Sequence, residues 1–433
     1  MEANETMEGA SVPMEDIAPD TGKAMTKANV ARFAIGFGLS TGIMAVSGTI
    51  GSAVLFPERF NTLNIGQQPE AILAAMNSVG CVVALIANVV FGALSDRCRS
   101  RFGKRTPFIV VGGLITGASF WLTSQATSLV GIVGFWSLLQ AGLNMMIAPL
   151  TAIISDRVSL SHRGSVASFM GAGGTAGASL GTIVGTACLS NPLIGFLIGT
   201  FGYGLVGIFT VLVLPKEKSA AVEEEEKEPF SFASLAKSFT PPTKNCRDFY
   251  LALFGRLMLV FGYWIISGYQ LYILEKYIGL EATEAAGVLS GMSVIAMVVS
   301  LVCSISGGFI SDKIGARKPI LFVSTLFLAA GIAAPWIFKS VMGMYGFALL
   351  GGIGYGVYGS VDQALNVDVL PNKEEAGKDL GILNIANTIG QVLAPIVTSS
   401  VVLATGSYAL TFPIAIALVL FGWVFIMMIK SAK

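Results

Sequence analysis

Charged residues in this chain come in short clusters, and between them run long, nearly uncharged apolar stretches. The stretches fall near residues 30–54, 71–92, 107–127, 129–153, 164–189 and 192–214. They resume near 248–275, 284–310, 318–338, 341–366, 379–404 and 408–429. An apolar run of about 20 residues is long enough to cross a bilayer as a helix. Strands that cross a membrane are about half that length and alternate apolar with polar residues, which these stretches do not. In lipid every backbone N–H and C=O must be satisfied internally, so continuous runs of this kind read as helices. The pattern predicts an all-α membrane protein of twelve transmembrane helices in two six-helix halves.

Where the pattern breaks, the breaks divide the chain. The opening "MEANETMEGASVPMEDIAPD" carries six acids and no base, and reads as part of a disordered cytoplasmic tail over 1–29. Segments 1 to 6 form a first half over 30–214. A charged stretch with the acid run Glu223 to Glu226 and the pair Pro241-Pro242 makes a cytoplasmic linker over 215–247. The second half covers 248–429 and a short tail 430–433. Within the linker, Phe230 to Phe239 suits either a short helix on the membrane surface or a solvated tether.

Composition narrows the function. Residues are 54% hydrophobic and 12% charged, against about 25% charged in soluble domains. Mean hydropathy is +0.74. A net charge of +1 gives no bulk attraction to nucleic acid. Five cysteines without paired spacing and a single histidine, His162, argue against a disulfide framework or a zinc site. No nucleophile–base pair or phosphate loop is visible, so an enzyme is the least favoured class. No cofactor is expected.

Basic residues set the orientation. With both termini inside, Arg59, Lys276 and Lys339 face outside, Arg32 and Arg256 sit in the first turns of segments 1 and 7, and the other 22 of 27 Lys and Arg lie on the cytoplasmic side. The expectation is a multi-pass monomer of the plasma membrane with both termini cytoplasmic.

The densest basic cluster, "GALSDRCRSRFGKRTPF" from Gly92 to Phe108, joins segments 2 and 3. It has a shorter partner in "GGFISDKIGARKPI", Gly307 to Ile320. Gly92, Ser95 and Asp96 match Gly308, Ser311 and Asp312 at an offset of 216; Arg32, Phe37 and Gly38 match Arg256, Phe261 and Gly262 at an offset of 224. Asp156 corresponds to Asp368. A parallel repeat of two six-helix halves is the pattern of a secondary transporter.

G-x-L-S-D-R followed by G-K-R resembles the segment 2–3 signature of the major facilitator superfamily. With its insert, "SDRCRSRFGKRTPF" is similar to the glycoside–pentoside–hexuronide cation symporters of the sucrose-transporter type. The resemblance implies alternating access by the major facilitator fold, with a sugar or glycoside as solute. It also implies a cytoplasmic gate clasp, formed when the protein opens outward and broken when it opens inward. Asp96, Arg97, Arg101 and Arg105 would make it, with Asp312, Lys313 and Arg317 as its copy. The same residues also serve the positive-inside rule.

Candidate solute contacts lie at mid-helix depth. Trp136, Gln140 and Asn144 share a face of segment 4; Tyr263, Trp264, Tyr269 and Gln270 lie on segment 7; Asn384, Asn387 and Gln391 share a face of segment 11. Amides bond hydroxyls and aromatic rings stack on sugars, although amides also glue membrane helices together. The symporters carry their coupling carboxylates in segments 2 and 4, and this chain has amides there. Asp362, near the inner end of segment 10, is then the candidate for a coupling proton, alone or paired with Arg256, with Glu58 behind it. Without such an acid in use, a uniporter or exchanger remains open, as does an exporter of drug-like or metabolite compounds.

Overall fold

The structure is a computed structural model describing residues 16–219, 242–243, 246–314, 316–371 and 376–430. Twelve helical rods run through the described residues. α1 is Lys27–Thr62, α2 Pro69–Asp96, α3 Thr106–Gln125, α4 Leu129–Arg157, α5 Leu160–Ala187 and α6 Pro192–Val213. α7 is Arg247–Ser267, resuming as Gln270–Tyr272 and Ile273–Ile278. α8 is Ala282–Ile314 and α9 Lys318–Phe338. α10 runs from Val341–Gly346 through Phe347–Gly351 to Gly352–Asp368; α11 is Ala376–Thr405 and α12 Thr411–Met427. Ten spans are long and apolar enough to cross a membrane; α12 is shorter, and α5 is diluted by seven glycines.

The sequence marks many of the starts. Proline stands in the first turn of α2, α3, α6 and α9, where its missing N–H costs nothing. Thr26, Ser128 and Ser340 accept bonds from the backbone N–H groups of Asn29, Gly131 and Gly343 and cap α1, α4 and α10.

Packing repeats with a period of six helices. α1 packs on α5 and α6, α3 on α4 and α6, and α2 on α4. Correspondingly α7 packs on α11 and α12, α9 on α10 and α12, and α8 on α10. The halves meet where α2 packs on α11 and α5 on α8. Helices do not associate in lipid by expelling water, so close approach matters more. The stripe Gly173, Gly177, Gly181 and Gly185 supplies it for α1 against α5: a Cβ at Gly173 or Gly177 would fall on the carbonyl oxygens of Gly38 and Gly42. Thr41 and Thr49 fasten the same seam, donating to the carbonyls of Met170 and Ala178 at 2.8 and 2.9 Å.

Two features depart from the sequence reading. The tail is not disordered throughout 1–29. Ile17–Ala18 pairs with Lys23–Ala24 around Gly22, whose φ is +65°. Asp20 meets Arg157 at 3.1 Å, and Ser161 donates to Asp16 at 2.6 Å. The acids thus find fixed partners on the inner ends of α4 and α5. The first 15 residues lie outside the described residues, as does the linker stretch Phe230 to Phe239. The linker also begins folded: Glu217 accepts from the backbone N–H groups of Lys104, Arg105 and Thr106 at 3.0–3.2 Å. A carboxylate there meets the positive end of α3.

Candidate functional site

Between the halves lies a cavity of about 400 Å³. Three elements shape it through breaks in regular helix. α1 widens to a π-helical turn over Ile50–Leu55 and α10 over Phe347–Gly351, both lining the cavity, while the π turn of α7 over Ile273–Ile278 lies just beyond the lining. π turns expose backbone and redirect side chains, and they concentrate at functional sites. α7 also breaks outright at Gly268 and Tyr269, and every residue from Ser267 to Tyr272 lines the cavity. Discontinuous helices at a repeat interface are how transporters present polar groups at membrane depth.

Of the sequence candidates, Trp136, Gln140, Tyr263, Trp264, Tyr269, Gln270 and Gln391 line this cavity. Trp136 lies edge-on to Phe56, with centroids 5.6 Å apart. It fits because Gly80 of α2 has no side chain: a Cβ there would stand 2.7 Å from the indole. Tyr263 stacks on Tyr355 at 4.0 Å. Gln270 Nε2 donates to the Ser267 carbonyl and hydroxyl at 3.3 and 3.2 Å. The small hydroxyls that sequence reasoning missed are Thr49, Ser52, Ser179, Thr182 and Ser293, and the amide of Asn77 on α2 lines the cavity beside them. Serine and threonine are common in membrane helices, and their facing carries no sequence signal of its own. Among the described lining residues none is charged.

Three candidates lie elsewhere. Asn144 accepts from Asn88 Nδ2 at 3.1 Å and donates to the Gln140 carbonyl at 2.9 Å, joining α2 to α4. Asn387 accepts from Arg256 Nε at 3.0 Å, and Asn384 is exposed away from the cavity lining. The shared face on α11 is therefore divided among three environments.

Asp362 and Arg256 form a buried pair at 3.4 Å, both side chains under 7% exposed. Tyr358 Oη donates to Asp362 Oδ1 at 2.8 Å and Asn366 Nδ2 to Oδ2 at 3.1 Å. Arg32, at the repeat-equivalent position, instead donates to the carbonyls of Val213 and Leu214 at the end of α6.

At the inner ends, Arg105 is buried and gathers three partners. Its Nη2 meets Asp96 at 2.5 Å and Asp156 at 2.7 Å, and its Nη1 donates to Ser95 Oγ at 2.6 Å. In the second half Arg317 meets Asp368 at 3.5 Å. Both arginines stand at the residue that opens the following helix, α3 and α9, two positions ahead of a proline. These pairs join helices within one half. Arg97 donates to the Ala93 carbonyl and Arg101 lies over the Phe102 ring. Lys313 is exposed, and the side chain of Asp312 lies outside the described residues. Burial, then Glu217, pushes the Cys98 thiol up.

A latch between the halves appears at the outer ends instead. Glu70 of α2 is buried and pairs with Lys276 at 2.7 Å, while Tyr408 Oη donates to it at 3.3 Å. Tyr269 Oη donates to the carbonyls of Glu70 and Pro395, and Tyr272 Oη to that of Pro57 at 2.9 Å. Burial, reinforced by Glu70, pushes the Tyr272 and Tyr408 phenols up, so both remain donors. Asn61 donates to Glu275 at 3.0 Å, and Ser78 to the Val392 carbonyl at 3.0 Å. The structure is closed on the side away from the start of α1, and the Arg105 network is intact in that state. Arg105 and its partner acids all belong to α2, α3 and α4, so these pairs brace the first half rather than join it to the second.

Comparison with known proteins agrees with this architecture. The Major Facilitator Superfamily model matches residues 31–307 and 252–432. A nitrite extrusion protein of Bacillus subtilis (strain 168) is 23% identical over 345 residues, covering 78% of this chain and 80% of the relative. Among solved structures, a bacterial homolog of the human lysosomal transporter Spinster, inward-facing and occupied, aligns with a TM-score of 0.72 at 15% identity, over 94% of this chain and 98% of that one. A mutant of the nucleoside transporter NupG aligns with a TM-score of 0.70 at 16% identity, over 92% and 100%.

Proposed function

The chain belongs to the major facilitator superfamily and is a secondary transporter of a small solute; we propose that this solute is neutral, polar and ring-shaped, of the sugar or glycoside class. The observation that carries the reading is the chemistry of the cavity lining. Amides and hydroxyls supply donors and acceptors, Trp136, Tyr263 and Trp264 supply flat apolar faces, and no described lining residue is charged. A volume of about 400 Å³ falls in the usual range for small-molecule pockets, about 300–1,000 Å³.

An anionic solute such as nitrite fits poorly. A buried anion needs a cation or several donors to offset lost hydration, and the guanidinium of Arg256 is already engaged by Asp362 and Asn387. The resemblance of the 2–3 loop to glycoside symporters supports the same solute class. Export of a lipophilic compound would call for a less polar lining. Asp362 is the proposed carrier of a coupling proton. We read the protein as a plasma-membrane monomer, and the asymmetry of Lys and Arg supports the placing of both termini in the cytoplasm.

A thermal-shift panel on purified protein tests the reading. Monosaccharides, disaccharides and aryl glycosides are expected to stabilise it, and Gln140→Ala and Gln391→Ala to reduce the apparent affinity at least tenfold. Asn384→Ala, outside the cavity, is expected to leave the shift unchanged. Stabilisation by nitrite or lipophilic amphiphiles, with none from any sugar or glycoside, would overturn the assignment.

A further inference from the structure

At the outer ends of α1 and α7, two carboxylates from opposite halves meet around a single donor. Asn61 Nδ2 lies 3.0 Å from Glu275 Oε2 and 3.4 Å from Glu58 Oε2. The other carboxylate oxygen of Glu275 is buried and has no hydrogen-bond partner among the described residues. A buried acceptor without a donor is costly, and two carboxylates crowded together disfavour double ionisation. One proton relieves both problems, because a neutral carboxyl can donate to its charged neighbour.

The surroundings leave that role open. Lys276, next to Glu275 on α7, has its ammonium on Glu70 of α2 at 2.7 Å, and Tyr408 of the α11–α12 turn completes that group. Arg59 of α1 turns away to the carbonyl of Ala126 at 2.8 Å. Lys339, ahead of α10, lies over the Tyr277 ring. Glu281 and Glu284, at the start of α8, are exposed to water.

We propose that the closed outer gate binds one proton between Glu58 and Glu275, taken up from the outside as α1 and α7 close and returned there as they part. In the open gate each carboxylate is separated and hydrated. The device makes external acidity favour the outer-closed, inward-directed form. It goes beyond the solute assignment and is independent of it, since it requires only that the halves move.

The direction of the pH effect follows from the environment. Burial, then Glu58, pushes the Glu275 carboxyl up to about 7, with Asn61 and Lys276 pulling the other way. An exposed glutamate titrates near 4.3. Closure is therefore favoured most at low pH, and the advantage is lost as pH rises through about 7. Inside that window each pH unit changes the closed-to-open ratio by up to about tenfold.

The test is electron paramagnetic resonance distance measurement on the full chain in nanodiscs, without solute. Spin labels stand at the exposed positions Thr62 and Thr283, and the five native cysteines are replaced by serine. In the otherwise native chain, the closed-to-open ratio is expected to fall at least tenfold from pH 5 to pH 8. Glu275→Gln and, independently, Glu58→Gln are expected to keep the short distance at every pH, since an amide supplies the missing donor permanently. Glu284→Gln is expected to keep the native pH response. A native chain whose distances ignore pH would overturn the proposal. So would glutamine variants that track the native chain, or Glu284→Gln flattening the response as well. None of these readouts depends on the solute, so the gate and the solute reading can fail separately.

Discussion

Arg105 shows how a single side chain organises the inner end of the first half. Its planar fork reaches Asp156 through both Nε and Nη2, while Nη1 reaches Ser95. Lysine would keep the charge but could not make these contacts together. Asp96 and Asp156 are partly exposed, so water would recover part of the loss. Arg105→Lys is expected to destabilise the protein by about 1–2 kcal/mol, read as a lower melting temperature in detergent. Arg101→Lys, on an exposed residue stacked over Phe102, is the control and should melt like the native chain. Equal melting of all three would remove the bracing role from Arg105.

Among the elements, α5 depends most on what it lacks. Its glycine stripe lets α1 approach until backbone meets backbone, and backbone cannot rotate away as a side chain can. Gly177→Val would place a Cβ against the carbonyl of Gly42, an overpacking that forces α1 and α5 apart at a cost of about 1–3 kcal/mol or more. The expected result is a marked loss of monodisperse protein on size-exclusion chromatography. Gly171→Val on the same helix meets nothing within 4 Å and should behave like the native chain. Should both variants purify equally well, the stripe would not be setting the spacing of the two helices. The π turns of α1 and α7 make a second pair of related elements, both at the outer ends where the latch forms.

For the whole molecule, the informative feature is where the two halves differ. The packing repeats faithfully, and Arg105 with Asp156 is echoed by Arg317 with Asp368. Arg32 and Arg256 share a repeat position but not a role: one caps the end of α6, and the other pairs with Asp362 and Asn387 to tie α7 to α10 and α11. The repeat places Leu150 in α4 opposite Asp362, so the acid belongs to one half alone. A buried ion pair is not a strong source of stability, and an acid in a membrane span points to function. Asp362→Asn is expected to abolish accumulation driven by a proton gradient while sparing counterflow exchange in proteoliposomes. Uptake against a gradient at the native level in that variant would release Asp362 from the coupling role.

The sequence by itself determined the helices, their order and the doubling of the unit. Each of these rests on local or periodic information: apolar length, turn residues and a recurring G-x-x-S-D pattern. It also named most of the aromatic and amide groups that reach the cavity. Only the tertiary structure decided which face of a helix met which neighbour. Asn384, Asn387 and Gln391 share a face in sequence but not an environment, because α11 passes between an exposed surface, Arg256 and the cavity. The outer latch was equally hidden. Glu70, Tyr272 and Tyr408 lie far apart along the chain and gain their meaning from the closure of one half on the other. Burial and pairing across that interface are properties of two surfaces together, and no stretch of one helix encodes them alone.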